Sequence, residues 1–121
     1  MAKFRFQDLE IWKDAIAIAM NLFDIADHLE EKKLYRFAEQ LRSAAMSMSN
    51  NIAEGSGSRS HKDFSNFLNI AKRSTFENAN ILILLEKRQL IVDKADLEIL
   101  LDKLDHLCRK ITNFQRSLIG K

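Results

Sequence analysis

The sequence has no proline, three glycines and one cysteine. Gly and Pro build most of the turns that all-β and β-α-β folds need, so their scarcity favours long helices. Cys108 has no second cysteine with which to form an intrachain disulfide, which is typical of a reducing cytoplasm. No apolar run approaches the roughly 18 residues of a membrane span, and the first residues lack the apolar stretch of a signal peptide. We therefore expect a helical, cytoplasmic protein.

The sequence also lacks a large excess of positive or negative charge. The 121 residues include 19 basic and 17 acidic side chains, a net charge of +2, and 46% of the residues are hydrophobic. This balance is typical of one globular domain and excludes a dedicated polycation. Residues 61–121 nevertheless hold 11 basic and 8 acidic residues. A localised nucleic-acid surface in the second half of the chain therefore remains open.

Apolar periodicity divides the chain into four helices joined by short breaks. Asp8 is expected to cap the first helix, and Ser60 and Asp93 the third and fourth. Gly55 is expected just past the end of the second helix. The expected helices cover about 8–29, 34–54, 61–88 and 94–118. Four such helices predict an all-α, single-domain protein, folded as an antiparallel up-down-up-down four-helix bundle.

The first and third helices carry more apolar surface than a single bundle needs. On the first helix we expect the stripe through Leu9, Trp12, Ile16, Ala19, Phe23 and Ala26 to face the core. A second stripe then points outward, and so do two residues of the third helix. Exposed apolar surface of this extent is typical of self-association, although the two helices could simply be the most buried pair. The predicted oligomer interface comprises Ile11, Ile18, Leu22, Ile25, Phe76 and Ile83.

The second helix has a row of small polar residues where Lys and Glu would be usual. This polar seam consists of Gln40, Ser43, Ser47, Asn51 (or its neighbour Asn50) and Glu54. Residues of this kind at helical spacing suit a close helix–helix contact, a lined channel or a ligand surface. A polar subunit contact is the plainer alternative.

Catalytic and metal-binding patterns are missing. None of the three histidines has a glutamate three positions before it, so the chain lacks the Glu-x-x-His pairs of di-iron bundles. One cysteine with scattered histidines does not make a zinc site. A nucleophile elbow, a P-loop and a dinucleotide fingerprint are also missing. We expect no cofactor, no metal and no enzymatic activity.

Several motifs resemble a known family. The segment 4–15 reads FRFQDLEIWKDA, 40–45 reads QLRSAA, 49–55 reads SNNIAEG and 59–64 reads RSHKDF. They resemble the 23S rRNA intervening-sequence proteins, and the NIAEG pentad is the most specific of them. The similarity extends over nearly the whole chain. This chain departs from the family pattern in having no proline and in placing Arg73 where a glycine is usual.

The resemblance implies a small bacterial four-helix bundle that assembles as a barrel-shaped homopentamer without enzymatic activity or cofactor. Related bundle proteins act as accessory factors of retroelements, where they bind a reverse transcriptase and nucleic acid. We therefore predict an accessory protein that binds structured RNA. Cations near the start of the third helix, where free N–H groups favour anions, support this. The predicted phosphate contacts are Arg42, Arg59, His61, Lys62, Lys72 and Arg73.

Two other interpretations remain. The chain could be a scaffold that docks a protein such as a polymerase or reverse transcriptase, through its apolar excess or the polar seam. The cation groups could also be ordinary solvated helix surface, and the Ser and Gly residues before the third helix ordinary capping.

Overall fold

A computed structural model describes residues 1–91 and 93–120. A short 3-10 helix at Arg5–Asp8 precedes four long helices. These are α1 (Glu10–Glu31), α2 (Tyr35–Ser56), α3 (His61–Lys87) and α4 (Lys94–Ile119). The described residues contain no strand, so the all-α prediction is confirmed. No helix in the described part is long and apolar enough to cross a membrane.

Contacts between the helices show that neighbours run antiparallel. The end of α2 meets the start of α3 at Gly55 and Phe64, while earlier in α2 the Ala44 carbonyl accepts from Asn78, further along α3. The same reversal relates α3 to α4 and α1 to α4. The α3–α4 hydrogen bonds join Gln115 to Ser65 and Lys72 to Thr112, and Lys110 of α4 bonds Glu10 near the start of α1. Within the described residues no Cα atom of α1 lies within 8 Å of one in α3, so these two helices are diagonal in the bundle.

The core corrects the predicted orientation of α1. Ile11, Ile18 and Leu22, expected in an oligomer interface, are at most 4% exposed and lie in the core of the single chain. Trp12 and Phe23, expected at the centre of the core, are only half-buried at its edge. Ala19 and Ala26 of the first stripe are buried together with the second stripe, so the face of α1 that packs in the core lies between the two predicted stripes and leaves the two aromatic rings at its edge.

The start of α1 also differs from the prediction. Asp8 ends the 3-10 helix, and Leu9 precedes α1 without a side-chain cap. The Asp8 carboxylate instead pairs with the Lys3 ammonium at 2.8 Å, and this hydrogen bond and charge lower the pKa of Asp8. The other two predicted caps are confirmed, because Ser60 accepts from the Asp63 N–H and Asp93 from the N–H groups of the first turn of α4.

Gly55 is not the residue after α2 but lies inside its last turn. A Cβ atom at this position would lie 2.8 Å from both the Phe64 ring and the Phe67 Cβ. The missing side chain lets the end of α2 and the start of α3 approach closely. This contact brings the α2–α3 loop against the bundle.

Candidate nucleic-acid interface

The outward side of α3 carries a row of exposed side chains that contains no carboxylate. Its members recur in steps of four and three residues, which places them on one side of the helix. The eight residues, which we call the α3 row, are Lys62, Asn66, Asn69, Arg73, Phe76, Asn80, Ile83 and Lys87. All eight are exposed. At 1.5 Å per residue the row is about 37 Å long.

The cations that precede α3 in sequence lie at one end of this row. Arg59 and His61 are exposed beside Lys62. The N-terminal segment brings a further cation to this end, because the Arg5 guanidinium donates to the Ser56 carbonyl at 3.4 Å and lies 5.8 Å from the centre of the Phe64 ring. The sequence analysis missed Arg5. Its position between two aromatic residues was the available indication that the segment packs against the bundle.

The other two predicted cations of α3 border a depression between α3 and α4. The volume of the depression is about 530 Å³, and its lining residues are Asn69, Lys72, Arg73, Phe76, Cys108 and Thr112. The Lys72 ammonium donates to the Thr112 hydroxyl at 3.3 Å and is half-buried. The structure therefore brings Lys62, Lys72 and Arg73 onto one helix, with His61 and Arg59 at its start.

Arg42 lies elsewhere, which corrects the prediction that it contacts phosphate. Its guanidinium bonds Asp27 at 2.8 Å and Glu30 at 3.0 Å, and these two carboxylates raise the pKa of Arg42. The side chain is 25% exposed. Because its charge is already neutralised by α1, Arg42 links α1 to α2 and lies apart from the α3 row.

The polar seam divides into two parts. Ser47 and Asn51 belong to a hydrogen-bonded chain between α2 and α3, in which Asn51 donates to Ser47 and the Ser47 and Ser74 hydroxyls bond each other at 2.8 Å. The Ser74 hydroxyl donates to the Ile70 carbonyl. Gln40, Ser43 and Glu54 remain exposed. Of the alternatives considered, a close helix–helix contact therefore describes the centre of the seam.

Asn78 completes this contact and was missed by the sequence analysis. Its amide nitrogen donates to the carbonyls of Ala44 and Ser74, both at 2.8 Å. The side chain is fully buried, and its Oδ1 has no hydrogen-bond partner among the described residues. An asparagine on the apolar side of an otherwise amphipathic helix was the indication in the sequence.

The remaining predicted interface residues have no common location. Ile25 is half-buried on α1, whereas Phe76 and Ile83 belong to the α3 row, on the diagonal helix. The apolar surface that α1 leaves partly open comprises the exposed Met20 and the half-buried Ile16 and Phe23, at a spacing of four and three. Met20 is 52% exposed. We call these three residues the α1 patch.

The groove between α1 and α4 is open along much of its length. A cavity of about 390 Å³ there is lined by Asp14, Lys103 and His106 among others. Lys110 bridges the two helices by donating to Glu10 at 2.7 Å and to Asp14 at 2.8 Å, and both carboxylates raise the pKa of Lys110. No group of three metal-ligating side chains comes together in the residues that the structure covers.

Comparisons with known proteins agree with this fold. A solved structure of a protein of unknown function from the S23 ribosomal protein family of Bacteroides thetaiotaomicron is similar to it, with a TM-score of 0.81 at 22% sequence identity. The similarity covers 87% of this chain and 97% of that one. No curated protein matches the chain. Residues 7–113 match the 23S rRNA-intervening sequence proteins. That match spans most of the chain, which therefore belongs to the 23S rRNA-intervening sequence protein family.

Proposed function

We propose that this protein is a non-enzymatic, nucleic-acid-associated accessory protein that binds structured RNA through the α3 row and the cations at its start. The observation that carries the proposal is the α3 row itself. It presents three cations and three asparagines with no carboxylate among them. Cations neutralise phosphates and thereby supply most of the affinity for nucleic acid, while amides can hydrogen-bond to sugars and bases.

The cations at the start of the row extend this surface. Arg59, His61 and Lys62 precede or open α3, where the first N–H groups of the helix and its dipole also favour an anion. Arg5 adds a fourth basic side chain from the N-terminal segment. RNA laid along α3 would therefore meet positive charge at one end and along the helix.

The test is a titration of an RNA hairpin at several salt concentrations. We expect a dissociation constant of about 1–100 μM or lower near physiological salt, and a steep loss of affinity as salt rises. Affinity that stays in the millimolar range even at low salt would overturn the proposal. An affinity that does not change with salt would also contradict phosphate binding.

We further propose that the protein acts as a homo-oligomer, with the family resemblance favouring five copies. The α1 patch supports this, because one exposed and two half-buried apolar side chains on one helix face are typical of contacts between subunits. Five copies of the 14.0 kDa chain weigh about 70 kDa, which light scattering after size exclusion measures directly.

A substitution in the α1 patch tests the contact between subunits without changing the fold of the single chain. Met20→Lys places a charge in the patch without disturbing the core, so the mass should fall towards that of one chain. Asn21→Lys adds the same charge to the exposed neighbouring residue and serves as the control. A mass of 14 kDa for the unmodified protein would refute self-association.

A protein-docking scaffold is the second candidate. The exposed part of the polar seam favours it, since Gln40, Ser43 and Glu54 share α2 with Met46, which is 50% exposed. Flexible methionines are frequent at surfaces that bind several partners. Ser43→Arg should abolish binding to a purified reverse transcriptase while leaving RNA binding unchanged. Retained binding by this variant would count against a docking site on α2.

A further inference from the structure

The depression between α3 and α4 combines types of side chain that do not occur together elsewhere along the α3 row. It combines an exposed aromatic ring, two cations and an amide within one concave site. Phe76 is 70% exposed at its edge. The volume of about 530 Å³ falls within the range of small-molecule sites.

Hydrogen bonds at the edge of the depression fix what Asn69 can offer. Gln115 Nε2 lies 2.9 Å from the Ser65 carbonyl, which can only accept, so the Gln115 amide nitrogen must face it. The same nitrogen donates to Asn69 Oδ1 at 2.8 Å. With its oxygen engaged, Asn69 has its NH2 group left as a donor.

Lys72 is held in a similar way. Its ammonium donates one hydrogen bond to the Thr112 hydroxyl, whose own hydrogen is directed to the Cys108 carbonyl. Two ammonium hydrogens remain for a ligand. Arg73 adds a second cation, and no carboxylate lines the depression among the described residues.

We propose that this depression takes one unpaired nucleotide of the bound RNA, with its base stacked on Phe76 and a phosphate at Lys72 and Arg73. The Asn69 NH2 group then donates to an acceptor on the base edge. The proposal rests on the proposed RNA binding and adds that the RNA must have a single-stranded nucleotide, because a base inside a duplex cannot leave its neighbours to stack on a side chain at no cost.

The experiment uses an RNA hairpin with 2-aminopurine in its loop and a fully paired duplex of the same length. Base–aromatic stacking predicts that Phe76→Ala weakens hairpin binding by about tenfold, and leaves duplex binding within about twofold. Binding of the wild-type protein should quench the 2-aminopurine fluorescence, and Phe76→Ala should abolish the quench. Phe76→Trp should retain both affinity and quench.

Phe76→Leu distinguishes stacking from an apolar contact. Leucine is apolar without a π-face, so the stacking proposal predicts that it behaves as alanine does. If leucine restores binding, or if Phe76→Ala lowers the mass of the assembly in solution, Phe76 packs against a protein and the proposal is wrong. Because the ring is mostly exposed, none of these variants should change the melting temperature appreciably.

Two outcomes separate this inference from the proposed function. If Phe76→Ala binds both RNAs as the wild type does, while reversing the charge of Lys62 and Arg73 weakens both, the nucleotide site is refuted and RNA binding stands. If the wild type binds neither RNA at low salt, both proposals fail.

Discussion

Cations around α1 and cations on α3 look alike in the sequence, but their surroundings in the fold are opposite. Arg42 and Lys110 reach α1 from its two neighbours, and each lies within 3.0 Å of two carboxylates. Lys62 and Arg73 lie on the diagonal helix and form no ion pair within the described residues, although the exposed acids Asp63 and Glu77 flank their row. Arg42 and Lys110 therefore link neighbouring helices through their ion pairs. The charges of Lys62 and Arg73 are therefore available to a binding partner.

The comparison shows what a charge count leaves out. A basic residue contributes to long-range attraction only if no acid of the same chain neutralises it. Four of the six acids of α1 lie on its sides towards α4 and α2, namely Glu10, Asp14, Asp27 and Glu30. They neutralise the α1 side of the bundle locally. Residues 61–87 themselves carry four cations against three acids, so what distinguishes α3 is the placement of its cations and not an excess of charge.

Charge reversal on α3 should have the largest effect on function. For Lys62→Glu combined with Arg73→Glu we expect at least a tenfold loss of RNA affinity, and a salt-dependence slope reduced by about 1.4–1.8, because two phosphate contacts are lost. Fluorescence anisotropy at several salt concentrations measures both quantities.

A matched control is available on α1. Lys13→Glu on the diagonal helix, combined with Lys32→Glu just after its end, changes the net charge equally, and both lysines are exposed. Its RNA affinity should fall much less. If the two double variants lose affinity equally, net charge alone matters and the α3 row is not a site.

Gly55→Ala tests how the fold presents the α3 row. The new methyl group would meet Phe64 and the Phe67 Cβ at 2.8 Å. Overpacking costs about 1–3 kcal/mol, and the better helix propensity of alanine offsets about 1 kcal/mol of that. We expect a net loss of up to about 2 kcal/mol in the free energy of unfolding, measured by chemical denaturation. A stabilised variant would mean that α2 and α3 can separate at this end without cost.

Arg42→Met should show the opposite pattern to the α3 variants. Methionine keeps the apolar stem but removes the ion pairs with Asp27 and Glu30, so the melting temperature should fall by a few degrees. Affinity for RNA should stay within about twofold of the wild type, because α1 already neutralises this charge. A large loss of affinity without loss of stability would show that Arg42 contacts the RNA.

The smallest effect concerns pH. Glu10 and Asp14 raise the pKa of Lys110, so the pairing stabilises the fold fully below the ordinary lysine pKa of 10.5 and is lost as pH rises through the raised value. Thermal melts of the wild type should therefore show a drop above pH 10.5 that is smaller in Lys110→Met. Identical pH profiles would show that the bridge contributes nothing measurable.

The helices and two of three caps were readable from the sequence because they depend on local patterns. The rotation of α1 was not readable, since its two apolar stripes are equally hydrophobic and only packing against α2 and α4 selects one. The candidate site also has one part that the sequence predicts and one part that it does not. Helical spacing places Lys62 and Arg73 on one surface, whereas the loss of Arg42 to α1 and the gain of Arg5 at the loop depend on contacts between residues far apart in sequence.

The diagonal placement of α1 and α3 has a consequence for valency. In a closed ring each α1 patch contacts a different surface of the next copy, and a ring in which that surface lies on α2 or α4 leaves every α3 row uncovered, so that assembly and RNA binding do not compete. An RNA with several loops could then engage several copies at once. The second and later contacts would form at the high effective concentration of a tethered ligand, which can raise affinity by about 100- to 10,000-fold without any new contact.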